Sequence, residues 1–391
     1  MLGLTFLNLN LDSRLRLEDN FATRWNAARS WMSEGWSPYS EETQQATVKL
    51  IRENNDIANE RDRGNFLDPA WYVFLFIPIS FIPYPIAKAI WMMLSQLSVV
   101  VSILLALDLS GLKLRGFEIF ITCVLGALAY PMVRAGLTAS MAPIFIMLTL
   151  LAIRQGMKGE GNQAGILLLF AIWINPIAIF PAVFLLIIYG ARRNNSLGKI
   201  LLFGFLFLMV TSMILFPNWI QDWFSEIILL NPDISWLDTP WMGVARAFPG
   251  AYAQIAIALH LATFVMVLVE WFGLGQMKER QLQWKLMLTL TIAYFFNFYS
   301  EGIFLLMVLP AFFSVYKYIS EKWLLSGKII YWISVVLISV FSWKLMANPL
   351  TSFPKEHPAI VLFVPIIIIF CLQYFRWWAL ASPKALVESN K

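Results

Sequence analysis

The chain has 391 residues, 59% of them hydrophobic and only 14% charged, a composition that excludes an ordinary soluble domain and marks a polytopic membrane protein. Its net charge of +5 is carried mostly by loops between apolar runs and is weak ground for nucleic-acid binding. Cys123 and Cys371, the two cysteines, sit in apolar runs without CxxC or Cys/His spacing. They read as small buried hydrophobes rather than a disulfide framework or a zinc site.

Residues 1–69 are polar and helix-prone. The tract EETQQATVKLIRENNDIANERDRGN cannot cross a bilayer, and MLGLTFLNLN is too short an apolar run, without a basic leader, to read as a signal peptide. Residues 1–84 are therefore expected to form an extracytoplasmic first-loop module with surface-lying helices, and residues 85–391 a transmembrane domain. Inside the module, the stretch LEDNFATRWNAARSWMSEGWSPYS spaces Phe21, Trp25, Ala28 and Met32 as one apolar stripe of a helix. Asp19 just before it and Gly35 just after match the N-cap and C′ preferences.

Apolar runs then predict about eleven membrane helices, near 85–107, 118–131, 137–153, 164–174, 177–190, 200–217, 248–272, 284–297, 302–317, 328–346 and 359–376. The fold class expected is all-α. Several runs are short: eleven helical residues cover about 17 Å of a hydrocarbon core of about 30 Å. Helices that stop at membrane depth must be packed in protein or line a wet cavity. No internal repeat is evident.

Assigning alternate loops to opposite sides puts sixteen lysines and arginines on one side, around Lys113, Arg154, Arg192, Lys278, Lys317 and Arg376, and four on the other, Arg134, Arg246, Lys344 and Lys355. The positive-inside rule makes the richer side cytoplasmic. The turns at Arg134, Asn175 and Ser300, the cavity and the polar opening module then face outward. Translocating that module calls for either another route or a membrane helix upstream of Met1, and the second is the expectation. The loop at 217–249 is also outward, and PNWIQDWFSEIILL sets Trp219, Trp223, Ile227 and Leu230 against Gln221, Asp222 and Glu226, the pattern of an interfacial helix or an aromatic-belt anchor.

An Asp opening an aromatic-flecked helix, an Ala-Ala pair and Gly-x-Ser-Pro-Tyr (DNFATRWNAARSWMSEGWSPYS), followed by PAWYVFLFIPISFIPYPIAKAIW, resembles glycosyltransferase family 87. These are polyprenyl-phosphate-mannose-dependent mannosyltransferases of the C-type superfamily. RQGMKGEGNQAGILLLFAIWINP and NFYSEGIFLLMVLPAFF agree with it. The resemblance spans most of the chain, with its specific motifs in the first ninety residues. It implies a C-type bundle in the plasma or inner membrane, a first membrane helix ahead of the Asp, a polyprenyl-phosphate-sugar donor and a lipid or glycan acceptor. It also implies that Asp19 stands where the family has its catalytic Asp.

An inverting displacement from a lipid-phosphate sugar needs a base for the acceptor hydroxyl and a cation for the departing phosphate. Asp19 is the base this reading selects, with Glu18 and Asp12 as weaker alternatives. Without a diphosphate leaving group or a DxD motif, neither metal nor other cofactor is expected. The outward cations are Arg24, Arg29, Lys88, Arg134, Arg246, Lys344, Lys355 and His357. Of these, Arg134, Arg246 and Arg24 are the candidates for the donor phosphate, while snorkelling is the plainer account of Arg134 and Arg246. Glu301, in the turn FYSEG, is the candidate for binding acceptor hydroxyls, or else caps the next helix. His260, alone in mid-span, reads as a hydrogen-bonded core residue. A transporter or lipid flippase, or a non-catalytic subunit of an envelope assembly complex, are the competing readings.

Overall fold

The computed structural model describes residues 2–14, 18–19, 21–54, 57–58, 64–228, 239–245, 247–248, 250–297, 302–346 and 358–380. The described chain is helical apart from one two-residue parallel bridge, β1 (Glu18–Asp19) with β2 (Ile57–Ala58). An opening group of helices comprises α1 (Leu2–Arg14), α2 (Ala22–Glu34), α3 (Glu41–Glu53) and α4 (Tyr72–Ser80). The bundle follows with α5 (Tyr84–Ser110), α6 (Gly116–Ala127), α7 (Tyr130–Leu137), α8 (Ala142–Met157), α9 (Gly161–Ile174), α10 (Ile179–Ala191) and α11 (Ser196–Leu215). It continues through α12 (Trp219–Ile228), α13 (Pro240–Ala245), α14 (Tyr252–Trp271), α15 (Glu279–Phe295), α16 (Leu305–Lys322), α17 (Leu324–Met346), α18 (Pro358–Tyr374) and α19 (Arg376–Leu380).

The predicted runs are largely helical, but 118–131 and 137–153 each straddle a break, between α6 and α7 and between α7 and α8. Among the described residues, five helices are long and apolar enough to cross a bilayer: α5, α11, α14 with its 3-10 extension to Gln276, the stretch from Gly302 through α16, and α17. A sixth qualifies if α6 and α7 count as one span bent by 64°. The bend falls where Ala129, extended at ψ 139°, leads into Tyr130 and Pro131, since proline cannot supply the N–H that would carry α6 onward. The remaining runs form shorter apolar helices or, in α15, a helix buried on nearly all sides.

The long helices sort by burial. The stretch through α16 is buried over 83% of its apolar window while α11 is buried over 17%, so α16 is a central pillar and α11 a peripheral helix with Phe203 and Phe207 outward. At the centre Trp284 of α15 is fully buried and donates its indole N–H to the Leu372 carbonyl, 3.0 Å away. Glu270, buried at the end of α14, takes both Lys285 at 3.3 Å and Arg376 at 2.8 Å, which satisfies a carboxylate that would otherwise be costly there.

Cross-helix contacts gather the basic loops at one end. Arg154 pairs with Asp108, Arg280 with Glu321, Lys328 with Glu118, and Lys317 reaches the Ser110 carbonyl and Gln283. The opposite end carries aromatic and amide contacts: Trp71 to the Trp173 carbonyl, Tyr72 to the Ile174 carbonyl, and Asn175 to Asn297. His260 is hydrogen-bonded as expected, though half-buried rather than in the core, with its ring nitrogens 2.7 Å from the Ala256 carbonyl and 3.0 Å from Thr239 Oγ1. The two cysteines are free and half-buried.

If the basic end is cytoplasmic, a membrane-impermeant thiol reagent should label Gln221→Cys in intact cells and Asn194→Cys only after permeabilisation. The reverse pattern would invert the topology.

Candidate functional site

The Gly-Ser-Pro-Tyr stretch ends α2 as its residue types require. Gly35 takes the left-handed conformation (φ 72°) and donates its N–H to the Trp31 carbonyl, a conformation open to glycine at little cost. Ser40 then caps α3 by accepting from the Thr43 N–H. The N-cap position of α2 is Phe21, with no side-chain cap, and Asp19 lies two residues earlier with its backbone in register with Ala58. The expected cap rests on the Asp19 side chain, which lies outside the described residues; what is described is its backbone, bridged to residues 57–58 just before the helix begins.

Phe21, Trp25 and Ala28 are buried as the stripe predicts, whereas Met32 is 44% exposed. Phe21 packs against Phe76, Tyr84 and Trp91, so α2 rests on α4 and the start of α5. Ahead of it, α1 runs alongside α5 rather than over a polar surface: Thr5 Oγ1 donates to Met93 Sδ at 3.3 Å, and Asn8 exchanges side-chain hydrogen bonds with Gln96. At its C-terminal end Asp12 meets Lys88 at 2.8 Å, with the lysine side chain 0% and the aspartate 10% exposed. The ammonium also lies 5.9 Å from the Tyr84 ring centroid, a cation–π distance.

Gln96 links this corner to α7. A Cβ on Gly136 would come within 2.8 Å of Gln96 Cγ, so glycine is what lets α7 approach. Ser95 Oγ donates to the Ala135 carbonyl at 3.4 Å. Arg134 is half-buried on α7, and the 3-10 turn Gly302–Phe304 packs against α7 and α8. The turn of Arg134, the Asp12–Lys88 corner and the chain entering α16 are therefore brought to one end of the bundle. The break between α9 and α10 lies at the same end, where Asn175 Oδ1 accepts from the Ile177 N–H at 3.0 Å and Asn175 Nδ2 donates to Asn297 at 3.2 Å.

Other predicted residues fare differently. Arg24 gives a two-pronged contact to Asp68 and stands 5.9 Å from the Tyr72 ring centroid, so its fork is already occupied by a carboxylate. Arg29 donates to the Ser80 carbonyl, and Lys344 is exposed on α17. Arg246, Glu301, Lys355 and His357 lie outside the described residues, as do the side chains of Asp19 and Glu18.

Beside this corner, α12 docks on the opening module. Trp219 is buried and packs edge-on to Trp71 with centroids 5.2 Å apart; Trp223 donates to the Leu67 carbonyl at 2.9 Å. Glu226 accepts from Asn65 at 2.7 Å, and Asn65 in turn accepts from Gln44. The interfacial pattern is thus spent on protein contacts. Burial, followed by the charges of Asp68, Asp222 and Glu226, pushes the Tyr39 hydroxyl far above its usual range, so it stays protonated and donates to the Asp68 carbonyl at 2.8 Å.

No protein-family model, curated protein or solved structure matches this chain.

What this end offers chemically is a set of paired charges held by helices, an aromatic-walled module above them and helix breaks that stop short of the far surface. Reading the sequence did not single out Asp68, Lys88 as the partner of Asp12, or the link between Asn65 and Glu226. The only local signal was Asp68-Pro69 at the start of the apolar stretch.

Burial raises the Glu226 carboxyl above its ordinary range against the opposing pull of the Asn65 hydrogen bond, with Asp222 raising it further. A raised folded-state pKa means that this group favours docking fully below the unfolded value and loses that contribution as pH rises through the raised one. Hydrogen-exchange protection of residues 219–228 should therefore fall as pH climbs from about 4 towards 7. Glu226→Gln should flatten the dependence, and an unchanged slope in that variant would assign it to another group.

Proposed function

We propose that the protein is an inverting membrane glycosyltransferase that moves a hexose, mannose by resemblance, from a polyprenyl-phosphate-sugar donor to a lipid or glycan acceptor on the extracytoplasmic side. The reading rests on sequence resemblance. The observation that best supports it is the course of the chain around Asp19. This residue follows a helix packed along α5, precedes a helix buried in the aromatic module, and has its backbone bridged to residue 58. That gives a carboxylate-bearing segment a defined place beside the end of the bundle where the helix breaks collect.

In this mechanism a carboxylate oxygen of Asp19 takes the acceptor hydroxyl proton as that oxygen attacks the anomeric carbon. The bond from that carbon to the phosphate oxygen breaks, and the electron pair leaves with the polyprenyl phosphate. Arg134, on the short helix α7 at this end, is the first choice to neutralise the departing phosphate, with Arg246 as the second candidate. Arg24 serves instead to hold Asp68. Glu301 is assigned to the acceptor hydroxyls. Arg134→Ala should weaken donor use and Arg134→Lys restore it only in part, since lysine lacks the planar fork.

Asp19→Asn tests the reading. The backbone bridge to Ala58 is indifferent to the exchange of carboxylate for amide, so fold and expression should be kept. Sugar transfer should drop roughly 10²- to 10⁴-fold with the loss of a general base. Transfer within a few-fold of wild type at equal protein level would remove Asp19 from catalysis. Lipid movement without sugar transfer by the wild type would favour a flippase.

A further inference from the structure

At the basic end, the mouth between α9 and the start of α11 is an open groove of about 820 Å³. Arg193 and Lys199 stand on its rim with Asn162 and Ser196, and Ile166 and Ile200 form its floor. Several cations at this end, Arg192 and Lys158 among them, have no carboxylate partner among the described residues; Arg193 and Lys199 are the two that line the groove. Arg154, Arg280, Lys328 and Arg376 are each tied to a carboxylate, whereas among the described residues no carboxylate pairs with Arg193 or Lys199. Glu160, exposed at the start of α9, pairs with neither.

Arg193 is also held at φ 54°, just past the end of α10, a position and conformation where glycine is the usual residue. An arginine kept in a backbone conformation that disfavours it points to a use for its side chain.

The floor of the groove continues as an apolar track. Ile166 and Phe170 on α9 and Phe203 and Phe207 on α11 recur at helical spacing, and all four are exposed, Phe207 by 69%. The two helices are pressed together beneath the track, where the Cβ sites of Gly165 and Gly204 abut Ile200 and Leu169. A cationic, hydrogen-bonding rim above a half-open apolar furrow matches an amphiphile with an anionic head and an acyl chain.

We propose that this groove is a binding site for an anionic phospholipid of the leaflet facing the basic end. Arg193 and Lys199 hold the phosphate, and an acyl chain lies along Ile166, Phe170 and Phe203. The site is independent of the transferase reading and sits at the other end of the bundle.

The test is native mass spectrometry of the detergent-purified full chain titrated with phosphatidylglycerol, phosphatidylcholine or inorganic phosphate. Wild type should retain phosphatidylglycerol at least ten-fold better than phosphatidylcholine. Lys199→Gln and Arg193→Gly should each lower that retention several-fold, and together about ten-fold or more. Arg193→Gly also relieves the backbone, so its thermal midpoint in neutral detergent should be equal to or higher than wild type, separating lost binding from lost folding. Lys113→Gln, outside the groove, should change nothing. Equal retention of both lipids, unchanged retention in the double variant, or displacement of the lipid by millimolar inorganic phosphate would each overturn the proposal, the last by assigning the rim to free phosphate.

Discussion

The contact on which the end holding the candidate site depends is the buried pair of Lys88 and Asp12. Lys88 is fully enclosed near the start of α5, and its ammonium has a carboxylate at 2.8 Å. A buried charge is tolerable only when it is paired and hydrogen-bonded, so α5 can begin where it does only if α1 comes alongside to deliver Asp12. That requirement, with the Asn8–Gln96 exchange one turn further along, sets the line of α1. From there the chain has six residues, of which Glu18 and Asp19 are bridged to 57–58, before Phe21 drops into the aromatic cluster of Phe76, Tyr84 and Trp91. The neighbourhood of Asp19 is thus set by an ion pair on one side and an aromatic core on the other.

The two ends of the bundle use different physics. At the basic end, pairs such as Arg154 with Asp108 and Arg280 with Glu321 are partly exposed, where such contacts contribute little each. At the other end the closing contacts are side-chain amide hydrogen bonds and edge-on or tilted indoles, with α12 folded back so that Trp219 and Trp223 cover the module. The helix breaks, at Ala129 before Pro131 and at Asn175 before Pro176, fall there too. Helices that end inside protein leave carbonyls and amides to be satisfied by side chains, and Asn175 does this by bonding the Ile177 N–H while reaching Asn297.

Much of this was legible from residue order. Long apolar runs specify helices because backbone groups in lipid must be satisfied locally, and the predicted runs are largely helical, although the breaks at 128–129 and 138–141 fall inside two of them. Gly35 and His260 behaved as their chemistry dictates. What was not legible depends on contacts distant in sequence. MLGLTFLNLN was grouped with the polar module because ten residues are too few to announce a membrane-side helix, yet Asn8, Thr5 and Asp12 find partners on α5 some 76 to 88 positions away. The bridge of the Asp19 backbone to Ala58, 39 residues on, could not be read from local pattern. Arg24 had the look of a free cation because Asp68 lies 44 residues on. The amphipathic stripe of α12 announced an interface without saying whether lipid or protein would cover it.

The central claim, that the Lys88–Asp12 pair holds the opening segment to the bundle, is tested most directly by a double-mutant cycle on thermal unfolding of the purified protein in detergent. Lys88→Met leaves Asp12 as an uncompensated buried charge and should cost about 3–5 kcal/mol. Adding Asp12→Asn to that variant should recover a substantial part of the loss, giving a coupling energy of about 1 kcal/mol or more. Additive effects of the two substitutions, or a Lys88→Met variant as stable as wild type, would contradict the account.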